Sequence, residues 1–252
     1  MTTVKDIYDF IDSVAPFASA AQWDNSGLLI GDGTAEVKKA VVALDVTRKE
    51  IEQAVLLGAE LIVSHHPVIF HPVNSLLKDN AAYEAAKNGL NVICAHTNLD
   101  KAPDGVNDTL CRALGMSFEK LPENIGEGFL NVGTLPVCGN SKEIASYISK
   151  KLNAAVRYSA FSDGLSRFGV CSGSGGDLAA DAKAYGCDAL ITGDASYHDF
   201  LDAQSIGVTL FAAGHYETEV IIVPELIKKL SARFADVEFI PSARTNPIFT
   251  EK

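Results

Sequence analysis

The chain has 252 residues, 47% of them hydrophobic, and a formal net charge of −11. That acidity argues against a protein built to grip phosphate backbones, and no apolar run is long enough to read as a membrane-spanning helix. Cys94, Cys111, Cys138, Cys171 and Cys187 are scattered without a CxxC pair, so they are expected to be free thiols in a reducing cytoplasm; the start, Met1–Asp6, lacks a secretory pattern.

Val4, Ile7, Tyr8, Phe10, Ile11 and Val14 recur close to helical spacing ahead of Pro16, which predicts a helix over 3–15. Gln22–Gly31 reads as a loop running into a short strand. Within it Trp23, the only tryptophan, is expected as a buried core anchor. Asp24-Asn25 beside it serves either as turn chemistry or as a group facing a site. Val41–Asp45 predicts a strand, followed by a helix that Thr47 caps, with Glu50 completing a capping box and Gly58 near its end. Glu60–Ser64 is a second buried strand, closed by His65-His66-Pro67. Such a β-α-β unit predicts a parallel pair with a right-handed crossover. Open α/β sheets place their sites at the carboxyl ends of strands, where Asp45 and His65-His66 fall. Ala81–Asn88 then predicts a helix, and Leu90–Ala95 a strand ending at His96.

The pattern recurs. Sliding the chain by 128 residues lays Val42–Pro67 on Val170–Ala195 with the same strand–helix–glycine–strand rhythm, and Gly193-Asp194 take the places of His65-His66. After each copy another strand leads to a histidine with an acid four residues later, His96/Asp100 and His215/Glu219. An internal duplication of an α/β unit follows. Between the copies, Phe129–Pro136 predicts a strand, Ser141–Leu152 a helix capped by Ser141, and Arg157–Asp163 strand and turn. Ser172-Gly-Ser-Gly-Gly176 is either a tight strand-to-helix turn or an anion cradle; it lacks the phosphate-loop lysine and the dinucleotide-loop spacing. Glu219–Phe234 predicts one helix containing Pro224, and Val237–Ile240 a closing strand. The expected fold is α/β: two similar three-layer α/β domains with a metal cleft between them. The first spans 1–125 and the second 126–219, with 220–252 packing back onto the first.

Adjacent residues of an extended strand point to opposite faces, so His65 and His66 serve one site only if the strand ends there and the backbone turns, as Pro67 allows. Where a His-x-x-x-acid segment is helical, its two side chains share one face a turn apart. Imidazole with carboxylate suits zinc, iron or manganese. The expected metal ligands are His65, His66, Asp100, His215 and Glu219, around two divalent ions. His96 either ligates or orients a ligand, and is with His198 a candidate for proton transfer; His71 is expected to do neither.

Trp23–Leu28, Ala43–Thr47, Gly58–Pro67, Ala95–Asp100, Thr192–Asp194 and Gly214–Glu219 together resemble the NIF-three-like family, whose bacterial members are often labelled homologues of a type-two GTP cyclohydrolase I. The resemblance spans nearly the whole chain, and the double histidine and the final His-x-x-x-Glu are its most specific parts. It implies a two-metal site at His65, His66, Asp100, His215 and Glu219, a pair of similar α/β domains, and a ring-shaped homo-hexamer assembled from dimers. The expected activity is hydrolysis of a small nucleotide-like, phosphorylated or cyclic-amide substrate, GTP ring opening being one version. The alternative is a metal-binding regulatory or chaperone protein without turnover. Neither membrane nor nucleic acid is an expected partner.

Overall fold

A computed structural model describes the chain except for residues 123–124, 160–161, 244–245 and 249–252. In chain order the strands are β1 (Gly27–Ile30), β2 (Lys39–Ala43), β3 (Leu61–Ser64), β4 (Asn91–Cys94), β5 (Ser117–Lys120), β6 (Asn131–Thr134), β7 (Arg157–Tyr158), β8 (Phe168–Val170), β9 (Ala189–Thr192), β10 (Thr209–Ala212) and β11 (Glu238–Pro241). Two compact units contain them. One comprises Met1–Pro103 with Ile222–Thr245, the other Asp104–Ile221 with Asn246–Lys252.

In the first unit the sheet order is β1-β4-β3-β2-β11. β11, β2, β3 and β4 run parallel, and β1 pairs antiparallel at the edge beside β4. The helix Arg48–Leu57 joins β2 to β3, and Ala81–Lys87 lies between β3 and β4. The first of these begins as its sequence dictates: Thr47 is the cap, and the Glu50 carboxylate accepts the Thr47 N–H at 2.9 Å. It ends at Gly58, whose φ of +65° is the left-handed turn that glycine adopts without steric cost. One sheet face packs Val41, Ile62 and Val92 against Ile51, Ala54 and Ala85 of those helices. The alternate residues Ala40, Val42, Leu61, Val63 and Ile93 are also fully buried, and the helix Ile222–Arg233 packs on β2 and β11. Sequence-distant segments meet in this unit, where the Thr2 hydroxyl donates to Asp236 at 2.7 Å.

The second unit carries a six-stranded sheet, β5-β6-β8-β9-β10-β7. Its two faces have separate cores. Phe168, Val170, Ile191 and Phe211 pack with Leu110, Leu114, Ile144 and Ile148 on one side. Leu130, Val132, Leu190 and Leu210 pack with Ala179, Ala182 and Ala203 on the other. This is a three-layer α/β unit.

Compared element by element, the units repeat one plan. A helix (Val4–Val14 or Ser141–Leu152) leads to an antiparallel edge strand, β1 or β7. Three parallel strands with intervening helices follow, and a five-residue helix closes the copy, Thr97–Lys101 or His215–Glu219. The 128-residue shift lays β3 on β9 end to end. Beyond that point the second copy is shorter, and β4 falls on β10 with a shift of 118.

Some sequence expectations need correction. Trp23 is 56% exposed and is not a core anchor. Asn140, not Ser141, caps the helix Ser141–Leu152, because its amide side chain fits the box closed by Glu143. The helix expected over Glu219–Phe234 is two helices, His215–Glu219 and Ile222–Arg233. Pro224 thereby sits in a first turn, where its missing N–H has no intrahelical partner to lose. Among the described residues no helix is long and apolar enough to cross a membrane.

Candidate functional site

In the first unit the chemistry gathers where β3 and β4 end. His65 N–H still reaches the Ala43 carbonyl at 3.1 Å and His66 N–H that of Leu44 at 2.8 Å, while the Ser64 hydroxyl reaches forward to the His66 carbonyl at 2.8 Å. The strand ends within this turn, so the two adjacent rings come to lie 5.1 Å apart at 40°. His96, entering from the end of β4, stands 5.3 Å from the His65 ring and 5.6 Å from that of His66. One ligand atom from each of the three lies within 4.8 Å of the others. His65 Nε2 also faces Asp100 Oδ1 at 3.5 Å, from the helix Thr97–Lys101.

What fixes the rings is the other nitrogen. His65 Nδ1 lies 2.9 Å from the Ala95 carbonyl, His66 Nδ1 2.8 Å from Asp45 Oδ1, and His96 Nδ1 2.7 Å from Asp24 Oδ1. A carbonyl or an ionised carboxylate only accepts, so each Nδ1 donates and each neutral ring keeps its lone pair on Nε2. That is the arrangement of metal-ligating histidines.

Asp24 is the knot of this half. Its carboxylate also accepts from the N–H of Asn25, the hydroxyl of Ser26, and both the N–H and hydroxyl of Thr97. Burial pushes its carboxyl up, but the hydrogen bonds from His96, Thr97 and Ser26 prevail and hold it well below the usual carboxylate range. Asp24 is therefore a charged acceptor at neutral pH. The buried Cys94 thiol donates to the His65 carbonyl at 3.0 Å, and burial raises it well above its ordinary value, so it offers no thiolate ligand.

The second unit has one such histidine. His215 opens the helix His215–Glu219, and its Nε2 lies 3.0 Å from Glu219 Oε2 one turn later. Its Nδ1 donates to Asp194 Oδ2 at 2.8 Å. His96, by contrast, stands just ahead of its helix with non-helical backbone angles, so Asp100 faces His65 rather than His96. On the sheet registers His96 corresponds to Gly214, and the two His-x-x-x-acid segments are one residue out of step.

The glycine-rich turn belongs to this half. Gly173, at φ +59°, lies so close to Glu219 that a Cβ would run into Oε1, and a Cβ on Gly193 would meet the Gly173 carbonyl, Thr218 Oγ1 and His215 Cα. Thr218 ties the parts together, accepting the Gly173 N–H at 3.2 Å and donating to the Gly214 carbonyl at 2.9 Å. The turn leads through a short 3₁₀ segment, Gly176–Leu178, into a helix of only six residues. The adjoining open groove, about 480 Å³, is lined by Asp177, Asp194 and Asp199 with Ser174 and Ser196. Three carboxylates repel an anion, so the turn is a packing device for Glu219. His198 is exposed on the helix Tyr197–Ser205, its ring 5.6 Å from that of Tyr197.

Sequence reasoning leaves the role of Asp24 open and does not assign Asp194 as the acceptor that orients His215. Both stand at turns beside strand ends, but their partners lie 72 and 21 residues away, and only the folded chain joins them.

The family model described as Duf34/NIF3 (NGG1p interacting factor 3) matches residues 2–247. A Clostridium perfringens protein named GTP cyclohydrolase 1 type 2 homolog is 32% identical over 257 residues, 98% of each chain. A Helicobacter pylori protein named GTP cyclohydrolase 1 type 2 is 32% identical over 90% of this chain and 92% of its own. A crystal structure of a Staphylococcus aureus protein has a TM-score of 0.89 at 26% identity, covering 100% of this chain and 99% of that one.

Proposed function

This chain belongs to the Duf34/NIF3 family, and on that premise we propose that it is a metal-dependent hydrolase of small nucleotide-like, phosphorylated or cyclic-amide substrates. His65, His66, Asp100, His215 and Glu219 are the proposed ligands of two divalent ions, zinc, iron or manganese. The observation that carries the reading is the orientation of the histidines. Each sets Nδ1 against an acceptor, and Nε2 of His65 and of His215 is turned toward a proposed carboxylate ligand, Asp100 at 3.5 Å and Glu219 at 3.0 Å. The donor set, imidazole nitrogen with carboxylate oxygen, fits those metals. Bound divalent ions supply Lewis-acid polarisation and lower the pKa of water.

The chain's own residues do the rest. Asp45, Asp24 and Asp194 fix the imidazole tautomers. Asp24 also locks the Trp23–Ser26 turn against Thr97. His96 Nε2 is the proposed proton carrier, its orientation set by Asp24. The names of the curated relatives point to GTP as the first substrate to try. A homo-hexameric ring is proposed as the assembly, checked by light scattering on the purified protein.

The test is metal content by elemental analysis of protein purified without chelators, with Glu219→Ala alongside, followed by a turnover panel of GTP, phosphoesters and cyclic amides. About two ions per chain, sharply reduced in the variant, together with hydrolysis that follows the metal supports the proposal. Stoichiometric metal with no turnover favours a regulatory or chaperone role. No metal, with the variant unchanged, removes both.

A further inference from the structure

Trp23 and Phe70 are large aromatic side chains left in the open, 56% and 40% exposed. Their rings meet edge to face at 6.0 Å, and each makes a similar contact with His96, at 6.3 Å and 6.2 Å. His96 is thus shared by two ring clusters, the imidazole trio on one side and this open aromatic corner on the other.

The corner is held in place. On one side Asp24, whose side chain is fully buried, fastens the turn that carries Trp23. On the other the Asn25 amide donates to the Ile69 carbonyl at 2.5 Å and pins the segment that carries Phe70. An exposed tryptophan normally lies on a surface that tolerates movement; this one is fixed by the hydrogen bonds of its neighbours. Exposed aromatic rings on a hydrogen-bonded frame, with a hydrogen-bonding imidazole at their junction, match a planar heteroaromatic ring better than a sugar or an aliphatic chain.

We propose that Trp23 and Phe70 form a stacking subsite that receives the planar heteroaromatic ring of the substrate, a purine or a ring of that kind, beside His96. The subsite deepens the hydrolase reading and rests on it for the word substrate. Its geometry does not depend on bound metal.

Because Trp23 is the only tryptophan, its emission reports this corner alone. Guanosine, which lacks phosphate, is the probe, titrated into the full chain with ribose as control. Saturable quenching by guanosine and none by ribose is expected, with Phe70→Ala weakening the apparent affinity about tenfold. Equilibrium dialysis with guanosine extends the test to Trp23→Leu, which should lose about tenfold, and to Trp23→Phe, which should recover most of that loss. Metal content of the same samples, expected to be unchanged in all three variants, shows that the fold and the histidines are intact. Metal bound without a saturable guanosine response overturns the subsite and leaves the hydrolase reading standing. Guanosine bound without metal does the reverse. Emission that changes with protein concentration and ignores guanosine assigns the corner to a contact with a second copy, and also overturns the proposal.

Discussion

The Nδ1 of His215 lies 2.8 Å from Oδ2 of Asp194, and Asp194 stands where the repeat places His66 in the first unit. One strand-end position thus supplies a proposed ligand in one copy and the acceptor that orients a proposed ligand in the other. Removing that acceptor frees the ring to rotate and lets its tautomer change. Asp194→Ala should weaken metal affinity by roughly 10- to 100-fold with little change in stability, since the side chain is 54% exposed. Competition against a chromogenic chelator measures this, and an unchanged affinity would count against His215 as a ligand.

Gly173 and Gly58 make a controlled pair. Both have positive φ, +59° and +65°, but a Cβ on Gly58 meets open space and one on Gly173 runs into Glu219. Gly58→Ala should cost about 1 kcal/mol from backbone strain alone. Gly173→Ala should cost more, about 2–4 kcal/mol, and should also lower metal occupancy by displacing Glu219. Denaturant unfolding of both variants decides. Equal losses would show that Glu219 has room to move.

Asp24→Ala removes a buried acceptor of five hydrogen bonds and leaves the donors of His96, Thr97, Ser26 and Asn25 to find others. The expected loss is about 3 kcal/mol, read as a lower urea midpoint at unchanged slope. A loss below about 0.5 kcal/mol, the level of an ordinary surface substitution, would mean that the turn is not fastened as described.

Asp188 offers a pH test away from the histidines. Burial pushes its carboxyl up, but the N–H groups of Arg167 and Ser166 and the Ser166 hydroxyl outweigh this and hold it below its ordinary value. A carboxylate with a depressed folded pKa stabilises fully above its unfolded value of about 3.9 and loses that contribution as pH falls through the folded one. Asp188→Asn should therefore be less stable than the parent chain at neutral pH, with a gap that closes below about pH 4. Melting curves across that range check it, and a gap that persists in acid would point to packing instead.

Elements whose signals are local were legible in the sequence. The Thr47–Glu50 box, the Gly58 stop and the branched strands around His65 need only neighbouring residues, and all three are present. The Asn140 cap was also available, since Asn140-x-x-Glu143 has the box spacing that Ser141 lacks. Trp23 was misread for the opposite reason. Its size favours burial, and what holds it in the open is a set of hydrogen bonds that the neighbouring Asp24 accepts from residues more than 70 positions away. The one-residue slip between His96 and His215 is of the same kind, because helix starts are set by caps and sheet register that a spacing pattern does not record.

The placement of β11 has a consequence for how the chain is made. β11 is the edge strand beside β2, and Asp236 closes on Thr2, so the first unit takes its border from residues made after the whole Asp104–Ile221 stretch. The second unit is built almost wholly from one continuous stretch, Asp104–Ile221, and can fold while synthesis continues. Until residue 241 emerges, β2 shows an unpaired apolar edge, Ala40-Val41-Val42, of the sort that recruits strands from other nascent chains. Chaperone demand during translation should therefore fall on the half that is translated first.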